Sequence, residues 1–260
     1  MTGEDERRAG TAVVLEAQRR TREVTVVRLH CPDCPDYAPG QHLEVTGPGL
    51  GGLRRRLSPA VPANPEGLLE FHIRVVPGGR ASRILATARH GDHWRISGPA
   101  GGPPAGFGAA DIGRHHLGLL PRDMLLIAGG TGLAPLRAMI LAAAEHRDPP
   151  RMHLVLGART PGGLYDLRTM TELSRSLGFL TLDTAVEDRT EDRFTWPTAF
   201  CRHHLAPLAR RGRAVDVAAR TGAWRRRRVL LAGSPAMMRG TAAGLMRAGA
   251  DPLAIAAIDG

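Results

Sequence analysis

The stretch Met124–Ile140, MLLIAGGTGLAPLRAMI, decides the fold of the second half of the chain. Five apolar residues predict a buried strand, the glycines that follow predict a tight turn, and the residues after Gly132 predict a helix. A helix N-terminus exposes unpaired backbone N–H groups, and glycine lets a ligand approach the backbone closely. The stretch therefore predicts a site for an anionic group, such as a phosphate, at Gly130, Thr131 and Gly132.

Two kinds of phosphate site have such a turn, and one is excluded. The loop of nucleoside triphosphatases needs a lysine that reaches the terminal phosphates, and this chain contains no lysine. The dinucleotide fingerprint G-x-G-x-x-G is met at Gly130 and Gly132, with Pro135 at the third position. Alone, this match is weak, because a tight strand–helix turn in any α/β domain has a similar sequence.

Strands and helices alternate on either side of this turn. After the helix expected at 133–146, apolar segments at 152–158, 179–186 and 228–234 read as strands. Further helices are expected from about Gly163 and at 235–248. This alternation predicts a doubly wound parallel sheet.

The first 100 residues have a different pattern. Segments rich in β-branched residues lie between Gly, Pro and Asp turns, at 11–18, 23–30, 41–47 and 68–76. They predict an antiparallel Greek-key β barrel, interrupted by one helical pattern at 79–90. The Gly/Pro-rich segment 97–113 separates the two patterns. We therefore expect a barrel domain at 1–112 and an α/β nucleotide-binding domain at 113–260.

Composition excludes some partners. The 260 residues carry a net charge of +10, but every basic residue is arginine and the arginines are scattered, so nucleic acid is not expected. The arginine clusters at 54–56, 210–213 and 225–228 read as solvated surface, or else as docking sites for an acidic electron-transfer partner. No long apolar run or signal segment is present, so we expect no membrane span and a cytoplasmic location.

The cysteines and paired histidines do not predict a metal site. Cys31 and Cys34 form a CPDC motif without a second ligand pair, so they are expected to be loop residues. The pairs His115–His116 and His203–His204 point in different directions on any regular element and are expected to face solvent.

Three further motifs accompany the glycine turn in a fixed order. They are R-x-L-S at Arg55–Ser58, G-x-x-S at Gly79–Ser82, and G-x-P-x-M at Gly233–Met237. With the turn between the second and third, the sequence resembles the ferredoxin–NADP reductase superfamily over about residues 12–250. It is most similar to reductase modules of bacterial oxygenases and of flavohaemoglobin-type proteins.

The resemblance implies an enzyme that binds FAD, with FMN as the alternative, and oxidises NADH or NADPH. Hydride would pass from the nicotinamide to the flavin, and electrons would pass on to a separate iron–sulfur protein, globin or oxygenase. The implied flavin-binding residues are Arg55, Leu57, Ser58, His72, Ile73, Arg74, Gly79, Arg80, Ala81 and Ser82. The implied dinucleotide-binding residues are Gly130, Thr131, Gly132, Pro135, Arg159, Asp166, Gly233, Ser234, Pro235 and Met237.

The resemblance also implies individual roles. Arg55 would neutralise the flavin phosphate, and Ser58, the expected catalytic residue, would hydrogen-bond flavin N5. Leu57 stands where the family has an aromatic residue that stacks on the flavin, which predicts weaker flavin retention. Arg159 favours NADPH and Asp166 would favour NADH, and neither decides the question.

Alternatives remain open at this level. His72 and Arg74 could contact the flavin or lie exposed on the barrel. The chain could reduce free flavin or ferric complexes, or be a non-catalytic subunit that retains the fold. The Arg-rich segment 187–224 is unlike the family's compact connection and is expected to be a docking insertion or a surface excursion.

Overall fold

The computed structural model describes residues 9–108, 111, 121–188 and 210–258. Its first half is an antiparallel six-stranded sheet in the order β4-β3-β6-β1-β2-β5. The strands are β1 Ala9–Arg19, β2 Val24–His30, β3 His42–Thr46, β4 Arg55–Leu57, β5 Leu68–Arg74 and β6 His93–Ala100, and helix α1 spans Arg80–Ala86. Pro59, just after β4, bridges to Phe71 of β5 and nearly closes the sheet. The predicted antiparallel barrel is confirmed.

Side-chain alternation along β5 explains how the barrel contacts the rest of the protein. Leu69, Phe71 and Ile73 point inward and belong to the apolar core of the barrel. Because successive residues of a strand point to opposite faces, Glu70 and His72 point outward. Both are nevertheless buried, since the second domain covers this face of the barrel.

The second half is a parallel sheet in the order β10-β9-β8-β7-β11-β12. Its strands are β7 Met124–Gly129, β8 Met152–Ala158, β9 Leu180–Val186, β10 Arg210–Arg211, β11 Arg228–Ala232 and β12 Ile255–Ala257. Its helices are α2 Leu133–Ala144, α3 Leu167–Ser176, α4 Ala214–Thr221 and α5 Pro235–Arg247. Two apolar clusters contain the alternate side chains of the central strands. The predicted parallel α/β architecture is confirmed.

The segment 187–224 is only partly a surface excursion. Residues 189–209, with Cys201 and the second histidine pair, lie outside the described residues, as does the first histidine pair. The described remainder forms β10, which extends the sheet beside β9, and α4, which buries Val215 and Val217. This part of the prediction was wrong because α4 is too short to show a full amphipathic repeat in the sequence.

The connection between the domains is anchored by a buried arginine. Arg228, at the start of β11, donates to the carbonyl of Gly106 and, at 3.0 Å, to that of Arg122. Burial lowers the pKa of its guanidinium. The neighbouring Phe107 packs into the core of the second domain. The division at 112 and 113 stays a prediction, because residues 109–110 and 112–120 are not described.

Apolar packing also joins the domains. Val24 and Val26 of β2 belong to the same cluster as Leu133 of α2 and Tyr165 of the β8–α3 connection. Among the described residues, no helix has the length and apolar character that crossing a bilayer requires.

Candidate functional site

The glycine turn forms a cradle at the carboxyl end of β7. Gly130–Gly132 is a single 3-10 turn, and Gly130 has a φ of +55°, in the left-handed region that favours glycine. No heavy atom lies within 4 Å of where a Cβ on Gly130 would be, so the space above the turn is open. No side chain caps the N-terminus of α2. The turn therefore offers an anion open space and uncapped backbone N–H groups.

A second turn packs against the first. A Cβ on Gly132 would overlap the carbonyl of Ala232 at the end of β11, so only glycine allows the two turns to approach this closely. The hydroxyl of Ser234 accepts a hydrogen bond from the backbone N–H of Met237 at 3.3 Å and caps α5. Pro235 follows at the start of the helix, where its missing N–H costs least.

The barrel faces these turns through β5. The antiparallel bridge between Pro59 and Phe71 places Ser58 opposite His72. Strand β5 in turn contacts the Gly130–Gly132 turn. The R-x-L-S motif and the glycine turn, more than 70 positions apart in the sequence, therefore both lie next to β5.

Between the domains lies a network of polar side chains, all of them largely buried except that of Arg28, which is 48% exposed. Glu70 accepts hydrogen bonds from Arg28 at 2.7 Å and from Arg137 of α2. The two ring nitrogens of His72 contact Tyr165 Oη at 2.6 Å and Glu70 Oε1 at 3.0 Å. Both contacts are satisfied when Nδ1 accepts from the tyrosine hydroxyl and Nε2–H donates to the carboxylate.

Asp166 completes this network. Its Oδ2 lies 3.5 Å from Nη1 of Arg137, which ties the β8–α3 connection to α2. The side chains of Glu70, Arg137 and Asp166 are 6%, 12% and 3% exposed. We call these six residues the interdomain network: Arg28, Glu70, His72, Arg137, Tyr165 and Asp166. It links two barrel strands to two elements of the α/β domain.

The network sets the charge of its members. Burial opposes ionisation of Glu70, but the hydrogen bond from His72 and the charges of Arg137 and Arg28 outweigh it, so the pKa of Glu70 lies well below its usual range. Burial raises the pKa of Tyr165, which therefore stays a neutral phenol. The carboxylate of Glu70 is thus ionised between two arginines at neutral pH.

The residues predicted on the flavin side occupy three kinds of position. Arg55 is exposed, and its guanidinium donates a hydrogen bond to the carbonyl of Arg54 at 2.7 Å. Leu57 is half-buried against the barrel core. Ile73 and Ala81 are buried in that core, so they can offer a ligand only their backbone.

The remaining flavin-side residues lie around the start of α1 and the end of β5. The Ser82 hydroxyl donates to the carbonyl of Gly79 and accepts from the N–H of Val76, which fixes the loop before the helix. Arg80 is exposed. Arg74 is exposed and pairs with Glu23 at 3.2 Å. His72, in contrast, faces the second domain rather than solvent.

The two residues expected to distinguish NADH from NADPH lie in different environments. Arg159 follows β8 directly and is exposed. Asp166 is buried, and its carboxylate faces Arg137. This burial and ion pair argue against a ribose contact for Asp166 and leave Arg159 as the exposed candidate.

Sequence reasoning missed the other members of the interdomain network. Arg137 is a charged residue inside the apolar segment LAPLRAMILAAA, and Glu70 lies in β5 between the buried residues Leu69 and Phe71. A charge within an apolar element is the available signal, because a buried charge needs a partner. The identity of that partner depends on domain docking.

Family models match both halves of the chain. Residues 11–103 match an oxidoreductase FAD-binding domain, and residues 126–243 match an oxidoreductase NAD-binding domain. The chain belongs to the ferredoxin–NADP reductase superfamily. The two matched ranges correspond to the barrel and the parallel sheet, in the order that this superfamily requires.

Characterised members of the superfamily are similar at moderate identity. The chain is 34% identical over 168 residues to the reductase subunit of an aromatic O-demethylase from an Amycolatopsis strain, covering 63% of this chain and 47% of that protein. It is 30% identical to a ferredoxin–NAD(P)+ reductase from Metapseudomonas resinovorans, covering 73% and 53%. The chain thus spans about half the length of these relatives.

Solved structures agree on the fold. The crystal structure of an Amycolatopsis cytochrome P450 reductase superposes with a TM-score of 0.77 at 28% identity, over 97% of this chain and 69% of that one. A ferredoxin–NADP+ reductase from Neisseria gonorrhoeae with bound FAD and NADP superposes with a TM-score of 0.70 at 16% identity, over 93% and 92%. This second likeness concerns the fold alone.

The residues present fit the two groups that the superfamily binds. The open space above Gly130 and the uncapped N-terminus of α2 suit the pyrophosphate of a dinucleotide. Arg55 offers an exposed guanidinium to the phosphate of a flavin nucleotide. Both are donors, as an anionic ligand requires.

Proposed function

We propose that this chain is an NAD(P)H-dependent flavoprotein reductase that holds FAD in the barrel and delivers electrons to a separate acceptor protein. The observation that supports this most is that the R-x-L-S motif and the glycine turn both lie next to β5. A flavin held at the R-x-L-S motif and a nicotinamide held at the glycine turn would meet beside this strand.

The chemistry that FAD would supply when bound is acceptance of a hydride from the nicotinamide and release of the electrons to an acceptor. The protein's own part is to bind and orient the two partners, because hydride transfer needs the reacting atoms about 3–3.5 Å apart. Ser58 would hydrogen-bond flavin N5, and Arg55 would hold the flavin phosphate. Gly130, Thr131 and Gly132 would hold the dinucleotide pyrophosphate, with Gly233–Met237 beside the nicotinamide.

The names of the relatives support a particular class of electron acceptor. Their names describe reductase components of an O-demethylase and of dioxygenase systems, so an iron–sulfur protein or an oxygenase component is the expected acceptor, with a globin as the alternative. NAD(P)H as electron donor favours a cytoplasmic location, since the nicotinamide pool is intracellular.

The proposal is tested by the absorbance spectrum of the purified protein under anaerobic titration with NADH and with NADPH. A bound flavin that bleaches with either nucleotide supports it. Protein that consumes NAD(P)H only when free flavin is added would make flavin a substrate. A protein with neither behaviour would be a non-catalytic subunit.

Two matched pairs of variants test the binding residues. Arg55→Gln is expected to raise the Kd for FAD about ten- to a hundredfold, because a charge-assisted hydrogen bond contributes about 1.5–3 kcal/mol. Arg56→Gln, at the adjacent exposed position facing Glu44 at 3.9 Å, should leave it unchanged. Arg159→Gln should lower kcat/KM for NADPH relative to NADH, whereas Arg151→Gln, before the same strand, should not.

Reduction of free flavin is a second candidate, and Leu57 favours it. The superfamily's aromatic residue at this position is replaced by a half-buried leucine that packs on the barrel core. Apolar contact lacks the stacking contribution of an aromatic ring. Equal turnover of added FMN, FAD and riboflavin by colourless protein would support this candidate over the first.

A further inference from the structure

The CPDC motif forms a closed turn directly after β2. The backbone N–H of Cys34 donates to the carbonyl of Cys31 at 3.1 Å. A four-residue turn of this kind holds its first and last Cα atoms within about 7 Å. Disulfides join residues whose Cα atoms are about 4.4–6.8 Å apart. The backbone therefore already holds Cys31 and Cys34 close to the separation that a disulfide needs.

The surroundings keep Cys31 in place. Its N–H donates to the carbonyl of Gly67 at 2.8 Å. A Cβ on Gly10 of β1 would lie 2.8 Å from its sulfur, and a Cβ on Gly67 would lie 2.9 Å from its carbonyl carbon. Glycine at both positions allows the turn to sit against the barrel. Cys31 is fully buried as a result.

Cys34, in contrast, is partly exposed and lines a surface cavity of about 290 Å³. Tyr37, Asn64, Pro65 and Leu68 are among the other residues of its wall. The wall contains none of the residues predicted to bind flavin or dinucleotide. Cys34 thus borders solvent in a cavity separate from the candidate site, whereas Cys31 lies in the barrel core.

Metal binding does not explain this pair. Structural zinc takes four ligands, and the described part of the chain holds no group of three metal-ligating side chains. The hydrogen bond between the two thiols lowers the pKa of Cys31, and the same bond, together with burial, raises the pKa of Cys34. The proton of the pair therefore rests on Cys34, and it passes to Cys31 when Cys34 attacks.

We propose that Cys31 and Cys34 form a reversible thiol–disulfide site that reacts with low-molecular-weight disulfides entering the cavity beside Cys34. Cys34 gives its proton to Cys31 and attacks one sulfur of the small disulfide, whose S–S bond breaks and releases one thiolate. Cys31 then displaces the second thiolate and closes the internal disulfide. The two protein protons pass to the two released thiolates, and the small disulfide is reduced while the protein pair is oxidised.

This site is independent of the proposed reductase activity, and its test needs no flavin or nucleotide. Cys201→Ser protein, which retains only Cys31 and Cys34, is equilibrated in reduced and oxidised glutathione of varying ratio. The thiols are then alkylated and the intact mass is measured. We expect loss of two hydrogens and of both alkylation sites as the oxidised fraction rises, and full recovery with excess dithiothreitol.

Single variants in the same background test the order of attack. Cys31→Ser should accumulate one glutathionyl group on Cys34, because the resolving thiol is missing. Cys34→Ser should stay unmodified at least tenfold longer, because Cys31 is buried. Circular dichroism confirms that each variant is folded, with Cys31→Ala as the substitute where serine is not tolerated.

Two results would overturn the proposal. One is a folded Cys201→Ser protein in which both thiols remain alkylatable at every glutathione ratio. The other is a mixed disulfide that persists in the presence of both cysteines, since this would show that Cys31 cannot reach Cys34.

Discussion

Replacing Arg137 with methionine should weaken the attachment between the two domains. Methionine keeps much of the apolar stem of the side chain but removes the charge that faces Glu70 and Asp166. Removing one partner of a buried ion pair costs about 3–5 kcal/mol. Glu70 keeps Arg28 and His72 as partners, so we expect the lower end, about 3 kcal/mol.

The assay is thermal and urea unfolding at pH 7, followed by circular dichroism. A loss of about 3 kcal/mol corresponds to a Tm lower by roughly 6–12 °C for a protein of this size. The matched control is Arg151→Met, which breaks a 2.8 Å ion pair with Asp123 at a site where Arg151 is 81% exposed. Surface pairs contribute under about 1 kcal/mol, so this control should unfold nearly as the native protein does.

A double-mutant cycle separates the pair from its surroundings. Arg137→Met and Glu70→Gln together should cost less than the sum of the two single changes, by about 1–3 kcal/mol, because the second change removes the carboxylate that the first leaves without its partner. Additive effects within about 0.5 kcal/mol, or an Arg137→Met protein as stable as Arg151→Met, would refute the assignment of the network as an interdomain anchor.

Three further outcomes are expected. Because the pKa of Glu70 is depressed in the folded protein, its stabilising contribution is present above the ordinary carboxyl pKa and is lost as the pH falls below it. Glu70→Gln should therefore flatten the decline in urea midpoint between pH 5 and pH 3. An unchanged slope would contradict this. In α5, Gly240→Ala should stabilise the folded protein by about 0.5–1 kcal/mol, because nothing lies near the new methyl group. Gly244→Ala should not stabilise it, because the new Cβ would lie 2.7 Å from Val215. Equal urea midpoints for the two variants would count against the argument. Leu57→Tyr should lower the Kd for FAD about two- to tenfold through ring stacking, measured by fluorescence titration, and unchanged affinity would remove the basis for weak retention.

The candidate site divides into residues that a local pattern reveals and residues that it does not. Gly130, Thr131 and Gly132 could be predicted because a strand, a glycine turn and a helix follow one another within 17 residues. The order of four motifs extended this prediction to the flavin side. Arg28, Glu70 and Arg137 have no such motif, and sequence reasoning did not single them out.

Asp166 is a residue that the sequence did single out, but with a different partner from the one that the structure shows. Its place after the second strand of the parallel sheet suggested a ribose contact, since acidic residues near this position serve that purpose. In the folded chain its carboxylate turns inward to Arg137. The sequence position was informative about the element, but the direction of the side chain depended on the cation that docking brought beside it.

The amino-acid order by itself determined the two kinds of domain and both turns, because strand alternation, helix periodicity and glycine conformations are properties of neighbouring residues. Only the tertiary structure decided how the domains meet. His72 and Tyr165 are 93 residues apart, and their 2.6 Å contact exists because the outer face of β5 is covered by the second domain. A buried charge must find its partner across that boundary, and no local pattern says which residue will be there.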